Sequence, residues 1–200
     1  MKVLSVATLT VALAWTAVAA AADDFTYSPY YPMQVGAAWS YKAGDSKFSV
    51  KVTTHEKVGT TMCARLETVQ DGKVVGSEDV FAKDDGVYRL ALDGKVIEPA
   101  VRLLKLPPKP GDAWVVDSKA EAKTGTERLQ GTFKTNGEEV TVPAGKYTAV
   151  TVACDDLDAN GAKYSFTTDY VKDVGMVKQV IEAGGLKTVI ELEKYEAGGK

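Results

Sequence analysis

Only one side chain in this 200-residue sequence is suited by type to acid–base work near neutral pH: His55, the sole histidine. A single histidine excludes multi-histidine metal sites. A Ser-His-Asp arrangement would have to use His55, and no Gly-x-Ser-x-Gly elbow is present to hold the serine. Cys63 or Cys154 could pair with it as nucleophile and base. The plainer reading is a surface strand residue, because His55 alternates with Lys51 and Thr53 onto a wet face. The cysteines lie in the strand-like runs TTMCARLETV and YTAVTVACDD. Alternation puts Cys154 with Val150 and Val152 on an apolar face and turns Cys63 away from Ala64 and Leu66. That parity opposes a Cys63–Cys154 disulfide, whereas two lone thiols in an exported chain favour one. Both states stay open at the level of sequence.

Acidic residues offer a second chemistry. Asp156-Leu-Asp158-Ala-Asn160-Gly161 matches the opening of a calcium loop, in which closely spaced oxygens suit a hard cation and glycine permits a sharp bend. The twelfth position of such a loop needs a bidentate glutamate and here holds Thr167, with Asp155 or Asp169 as possible substitutes. The competing reading is an Asn-Gly hairpin dressed with acids for solubility. The pairs Glu138-Glu139, Asp84-Asp85 and Asp155-Asp156 do not read as catalytic dyads, since adjacent strand residues point to opposite faces. No phosphate-binding loop or dinucleotide fingerprint is present.

The elements that must position these residues are strands. Phe48, Val50 and Val52 alternate with lysine, serine and threonine. Tyr88, Leu90 and Leu92 alternate with Arg89 and Ala91, Leu129 and Phe133 with polar residues, and Tyr164, Phe166 and Tyr170 likewise. Period two means one buried and one wet face, the pattern of antiparallel sheet. Turn dipeptides separate the runs: Asp71-Gly72, Asp85-Gly86, Asp93-Gly94, Asn136-Gly137, Asn160-Gly161 and Gly184-Gly185. Val142-Pro143-Ala144-Gly145 is a further turn. No amphipathic helix is evident. Val101–Leu106 reads as extended or a single turn between prolines, Lys119–Glu127 as an exposed edge or loose connection, and 196–200 as a fraying end.

Residues 1–22 carry Lys2, an apolar run and small residues up to Ala22, which is the order of a cleaved secretory signal. Residues 23–200 then form one domain, large enough for a core without disulfides. Loss of Lys2 takes the formal charge from −3 to −4. Such a mildly acidic chain with interspersed signs has no electrostatic footprint for nucleic acid. No later stretch is long and apolar enough to span a membrane as a helix. Tyr27, Tyr30, Tyr31, Trp39 and Tyr41 crowd the start of the domain and read as a staple over the sheet.

One internal echo concerns both ends of the argument. Pro32…Gly36-Ala-Ala-Trp39 and Pro107…Gly111-Asp-Ala-Trp114 share the spacing Pro-x-x-x-Gly-x-x-Trp. It reads as a repeated structural corner, with two related halves as its extension. The functional alternative is a ligand cleft lined by Trp39 and Trp114.

The ordered set Tyr30-Tyr31-Pro32…Gly36-Ala-Ala-Trp39-Ser-Tyr41, Leu106-Pro107…Gly111-Asp112-Ala-Trp114, Val140-Thr-Val142-Pro143-Ala144-Gly145-Lys-Tyr147 and Val174-Gly175-Met-Val177-Lys178 resembles a group of uncharacterised exported bacterial β-proteins. Their relatives look like the curved sheets of periplasmic lipoprotein carriers, which hold acyl chains in a half-barrel under helices. This sequence departs from the carriers in having no lid helices. The resemblance brings no catalytic residues to transfer.

The expected fold is an all-β antiparallel meander of about ten strands forming a curved sheet or half-barrel, with a two-sheet sandwich as the alternative. The expected function is a soluble exported binding or accessory protein, periplasmic or secreted, for lipid or another apolar or amphipathic ligand. The alternatives are a structural or interaction module with an envelope protein as partner and, below it, a hydrolase. No cofactor is expected beyond a calcium ion at Asp156, Asp158 and Asn160.

Overall fold

The computed structural model describes residues 25–122 and 125–199. The signal segment 1–22 lies outside the described residues. Twelve antiparallel strands follow in chain order: β1 (Ala38–Ala43), β2 (Ser46–Val58), β3 (Thr61–Gln70), β4 (Lys73–Lys83), β5 (Gly86–Leu92), β6 (Lys95–Lys105), β7 (Ala113–Ala122), β8 (Gly125–Val142), β9 (Gly145–Ala159), β10 (Ala162–Val171), β11 (Gly175–Ala183) and β12 (Leu186–Glu196). Each strand pairs with its neighbour in sequence, and β1 closes on β12 to complete a barrel.

The meander and its antiparallel pairing are as expected, but the sheet is neither open nor a sandwich. Two edge strands placed side by side satisfy each other's free N–H and C=O groups, and closure removes both edges. The strand count exceeds ten for two reasons. Val101–Leu106 belongs largely to β6, and 119–122 and 125–127 are paired strand residues of β7 and β8 rather than a loose connection. Asn136-Gly137 is not a turn: both residues sit inside β8, opposite Thr151 and Val150, where a continuous partner strand holds them extended. The other dipeptides turn the chain. Asp71, Asp93, Asn160 and Gly184 have φ between 50° and 55°, the backbone that tight hairpins require.

The sequence echo is a structural repeat. Gly36 N–H donates to Val52 O and Gly111 N–H to Thr135 O, both at 2.8 Å. Val52 N–H returns to Ala37 O (2.9 Å), and Thr135 N–H returns to Asp112 O (2.8 Å). Gly36 and Gly111 have φ of 90° and 86°, which explains the glycine. Each corner feeds a tryptophan, Trp39 opposite Val50 and Trp114 opposite Phe133. β1 and β7 therefore start two equivalent six-strand halves. The fourth strand of each carries an almost fully buried aspartate, Asp79 or Asp169, at a register shift.

The halves meet at two seams. β1–β12 is paired from Ala38–Glu196 to Ala43–Ile190. Among the described residues, β6–β7 is joined only at Ile97–Ala120 and Glu98–Lys119.

The core fills the barrel around Val52, Ala64, Val80, Val87, Leu104, Val152 and Val177. Residues 25–37 lie across one end. Met33 is fully buried, Asp173 N–H donates to Pro29 O, and Gly199 N–H donates to Val35 O. The expected fraying end is thus tied down at least to Gly199.

Candidate functional site

Alternation places Phe48 and Val50 of β2, Leu66 and Thr68 of β3, Tyr170 of β10 and Ile190 of β12 on the inner face. With Trp39 and Tyr41 of β1 they enclose a cavity of about 270 Å³, floored near the plugged end by Tyr31. Its wall is largely apolar and aromatic, with Thr68, Ser77, Asp93 and Gln179 as polar members and one charged pair. Glu78 of β4 and Arg89 of β5 project into it and pair there. Arg89 Nε and Nη2 each donate to Glu78 Oε2 at 2.6 Å, and Tyr31 O–H donates to Oε1 at 2.9 Å. Burial and the Glu78 carboxylate push the Tyr31 hydroxyl well above its ordinary value, so it remains a donor.

A second compartment of about 250 Å³ shares Arg89, Leu92 and Asp93 with the first. It lies under β6–β8, against Ile97, Val101 and Leu129. Ser118, 1% exposed, lines it, and its Oγ has no hydrogen-bond partner.

Arg89 is inside and Tyr88 outside, the reverse of the alternation read from sequence. Register shifts at Val87/Tyr88 and Arg89/Ala91 flank this turn of β5 and reset its faces. On the outer face Tyr88 stacks on Phe81 (centroids 5.2 Å) and lies under the Arg102 guanidinium. Nothing in the β5 sequence announces Arg89 as an inward cation. The one available signal is Glu78, an acidic residue on the neighbouring strand at a register that can face it.

His55 also leaves its expected face. A register shift between Val52 and Thr54 places it opposite Ala64 instead of on the wet side. Its ring stacks on Phe25 at 4.0 Å and 7°, and Nε2–H donates to Met33 O at 2.7 Å. The histidine clamps the N-terminal segment. Cys63, opposite Glu56, faces the other side of the strand from Ala64, so the two form no nucleophile–base pair.

Cys63 and Cys154 are buried free thiols. The bridge that sequence left open is not formed. Going round the ring, five strands separate β3 from β9 in either direction, so the thiols lie on opposite walls. Their expected parity is right: Cys154 is inside with Val152, and Cys63 is on the outer face with Arg65 and Asp79. Burial, then Asp79 and Glu56, pushes the Cys63 thiol up to about 12.

The acidic turn is occupied by the protein's own donors. Asp158 Oδ1 accepts from Gly161 N–H (2.7 Å) and Oδ2 from Lys163 Nζ (2.8 Å). Asn160 Oδ1 accepts from Arg128 N–H (2.6 Å), and Asp156 Oδ1 from Thr132 N–H (3.2 Å). Among the described residues no three metal-binding side chains converge.

The two tryptophans do not share a cleft. Trp39 lines the first cavity, with Nε1–H donating to Val174 O at 2.6 Å. Trp114 packs on Phe133 and donates to Arg102 O at 3.0 Å, away from both compartments. Among the described residues no helix is long and apolar enough to cross a membrane.

No protein-family model matches the sequence, and no curated protein matches it. Two solved structures share its fold. One is a protein of Bacteroides fragilis described as exported and as having a YmcC-like fold, at 16% identity and a TM-score of 0.55, with 85% of this chain and 100% of that one covered. The other, from Parabacteroides distasonis and described as a lipoprotein, has 16% identity and a TM-score of 0.56, with 86% and 100% covered. At that identity the likeness is one of architecture: this chain has the fold of bacterial proteins described as exported or as lipoproteins.

Proposed function

We infer that this protein is an exported, non-catalytic binding protein that holds an amphipathic ligand inside its barrel. The observation that carries the reading is a largely aromatic and aliphatic cavity that holds one anchored guanidinium among a few polar side chains. Apolar walls with a few fixed polar groups are what a small-molecule site needs. Tyr31 holds Glu78 and Glu78 orients Arg89, whose guanidinium can donate to the polar end of a guest. Localisation outside the cytoplasm is supported by the signal-like residues 1–22 and by the fold shared with proteins described as exported.

Native mass spectrometry of the protein recovered from its own envelope tests this. The expected result is a lipid-like adduct on the wild type that is lost in Ile190→Trp, which fills the cavity. A bare mass for the wild type counts against the reading.

A second reading, docking to an envelope protein, is favoured by a separate observation. Val74, Val75, Leu92 and Leu186 stand exposed beside the hairpin turns at the unplugged end. Loss of a co-purifying protein on changing Val74 and Val75 to serine would favour it.

A further inference from the structure

The sparsely paired β6–β7 seam borders the second compartment, which Ile97 and Ala120 line at a registered pair and Val101 and Ser118 line where the unregistered stretch begins. Both strands are long enough for a full ladder, yet residues 99–105 and 113–118 face each other without registered partners. The fold does not demand this, because the equivalent seam between the halves, β12–β1, is paired along all of β1. Pro99 removes a donor immediately after the last registered pair. Side chains hold the seam at both sides of its two registered pairs, Lys95 beyond Ile97 and Trp114 and Lys105 along the unregistered stretch. Lys95 reaches past β7 to Glu127 on β8 at 2.8 Å, Trp114 Nε1–H meets Arg102 O, and Lys105 meets Asp112 at 2.9 Å. The Lys95–Glu127 pair is about two-fifths exposed on each side, so its opening costs little. Val115 and Val96 stand on the two seam strands, 76% and 52% exposed.

Behind the seam, Ile97, Val101 and Leu129 make an apolar surface, and Ser118 Oγ is buried with no partner. A buried hydroxyl without a partner is costly unless something meets it. Taking the proposed carrier function as its basis, we propose that the second compartment binds the chain of a single-chain amphiphile. The β6–β7 seam is the lateral portal through which that chain enters. Ser118 supplies the inward polar group, and Lys95–Glu127 is the latch. The portal exchanges few backbone hydrogen bonds when it opens, which no other strand pair in the barrel permits.

The test is a disulfide across the seam. Glu98→Cys with Lys119→Cys joins two cross-strand partners, whose separation suits a disulfide. The probe is cis-parinaric acid, a fluorescent straight-chain amphiphile, followed by stopped flow in the oxidised and reduced forms. Oxidation is expected to slow association and release by roughly tenfold or more with little change in affinity, and reduction to restore both. Equal rates in the two forms, with binding intact, overturn the portal and leave the carrier reading standing. Absence of binding in the reduced form and in the wild type overturns both.

Hydrogen exchange on the unmodified protein gives an independent measurement. Amides of 99–105 and 113–118 should exchange faster than those of the β12–β1 seam and gain protection with the probe. Equal protection of the two seams without the probe would overturn the portal.

Discussion

At the residue scale, the two thiols show how burial rather than type sets chemistry. Cys63 is held as a thiol by its surroundings, and only the thiolate is a competent nucleophile. Cys154 packs against β8 where Gly131 has no side chain, since a Cβ there would lie 2.7 Å from Sγ. The native protein is therefore expected to resist a thiol reagent and to release two equivalents after denaturation. Fewer than two would mean that a bridge forms after all. Asp169 makes a second prediction. Burial raises its pKa, opposed by the Thr151 hydroxyl, which donates to it at 2.7 Å, and by Lys178, while Glu138 adds to the rise. A raised folded-state value means that the folded protein binds the proton more tightly than the unfolded chain. Stability from this group is present at low pH and lost as pH rises from the ordinary carboxylate range through the raised value. Asp169→Asn keeps an acceptor for Thr151 and removes the charge. Thermal melts should show the variant more stable than wild type at neutral pH, with the gain disappearing below the ordinary carboxylate range.

Among the elements, the N-terminal segment is the one whose stability rests on few contacts. It has no strand ladder of its own and is held by the buried Met33 and Tyr31, by His55, by the Pro29 carbonyl and by the corner at Gly36. His55→Ala removes a stacked ring and a hydrogen bond and is expected to cost about 1–2 kcal/mol. The loss should be local. Chymotrypsin should cut at Tyr27 or Tyr30 several times faster, while the twelve-strand barrel keeps its circular dichroism. The N-terminal segment and the long β6–β7 connection lie at the plugged end, and the cavity runs toward the opposite end, where Gly76, Leu92 and Asp93 line it beside hairpin turns.

For the whole molecule, the ion pair inside the barrel is where charge, cavity and stability meet. Glu78 and Arg89 lie on adjacent strands, and their side chains are 18% and 31% exposed. A pair this shielded contributes little as a pair but is costly to break, because the survivor is left without a counter-charge. Arg89→Met should destabilise by roughly 2 kcal/mol, less than for a fully buried pair because a third of the side chain is wet. Arg89→Met with Glu78→Gln should recover most of that in urea melts. If the single and double variants lose equal stability, the pair does not act as a unit.

Sequence alone determined the local facts: strands, hairpin order, the inward faces of β2, β9 and β10, the parity of both cysteines and the two matching corners. These follow from period two and from turn residues, which act within a few positions. Tertiary structure alone decided the closure of β1 on β12, the extended path through Asn136-Gly137 and the inward turn of His55 and Arg89. Each depends on a partner strand. A bulge adds one residue opposite a neighbour and reverses every face beyond it, so alternation counted along one strand loses its sign there.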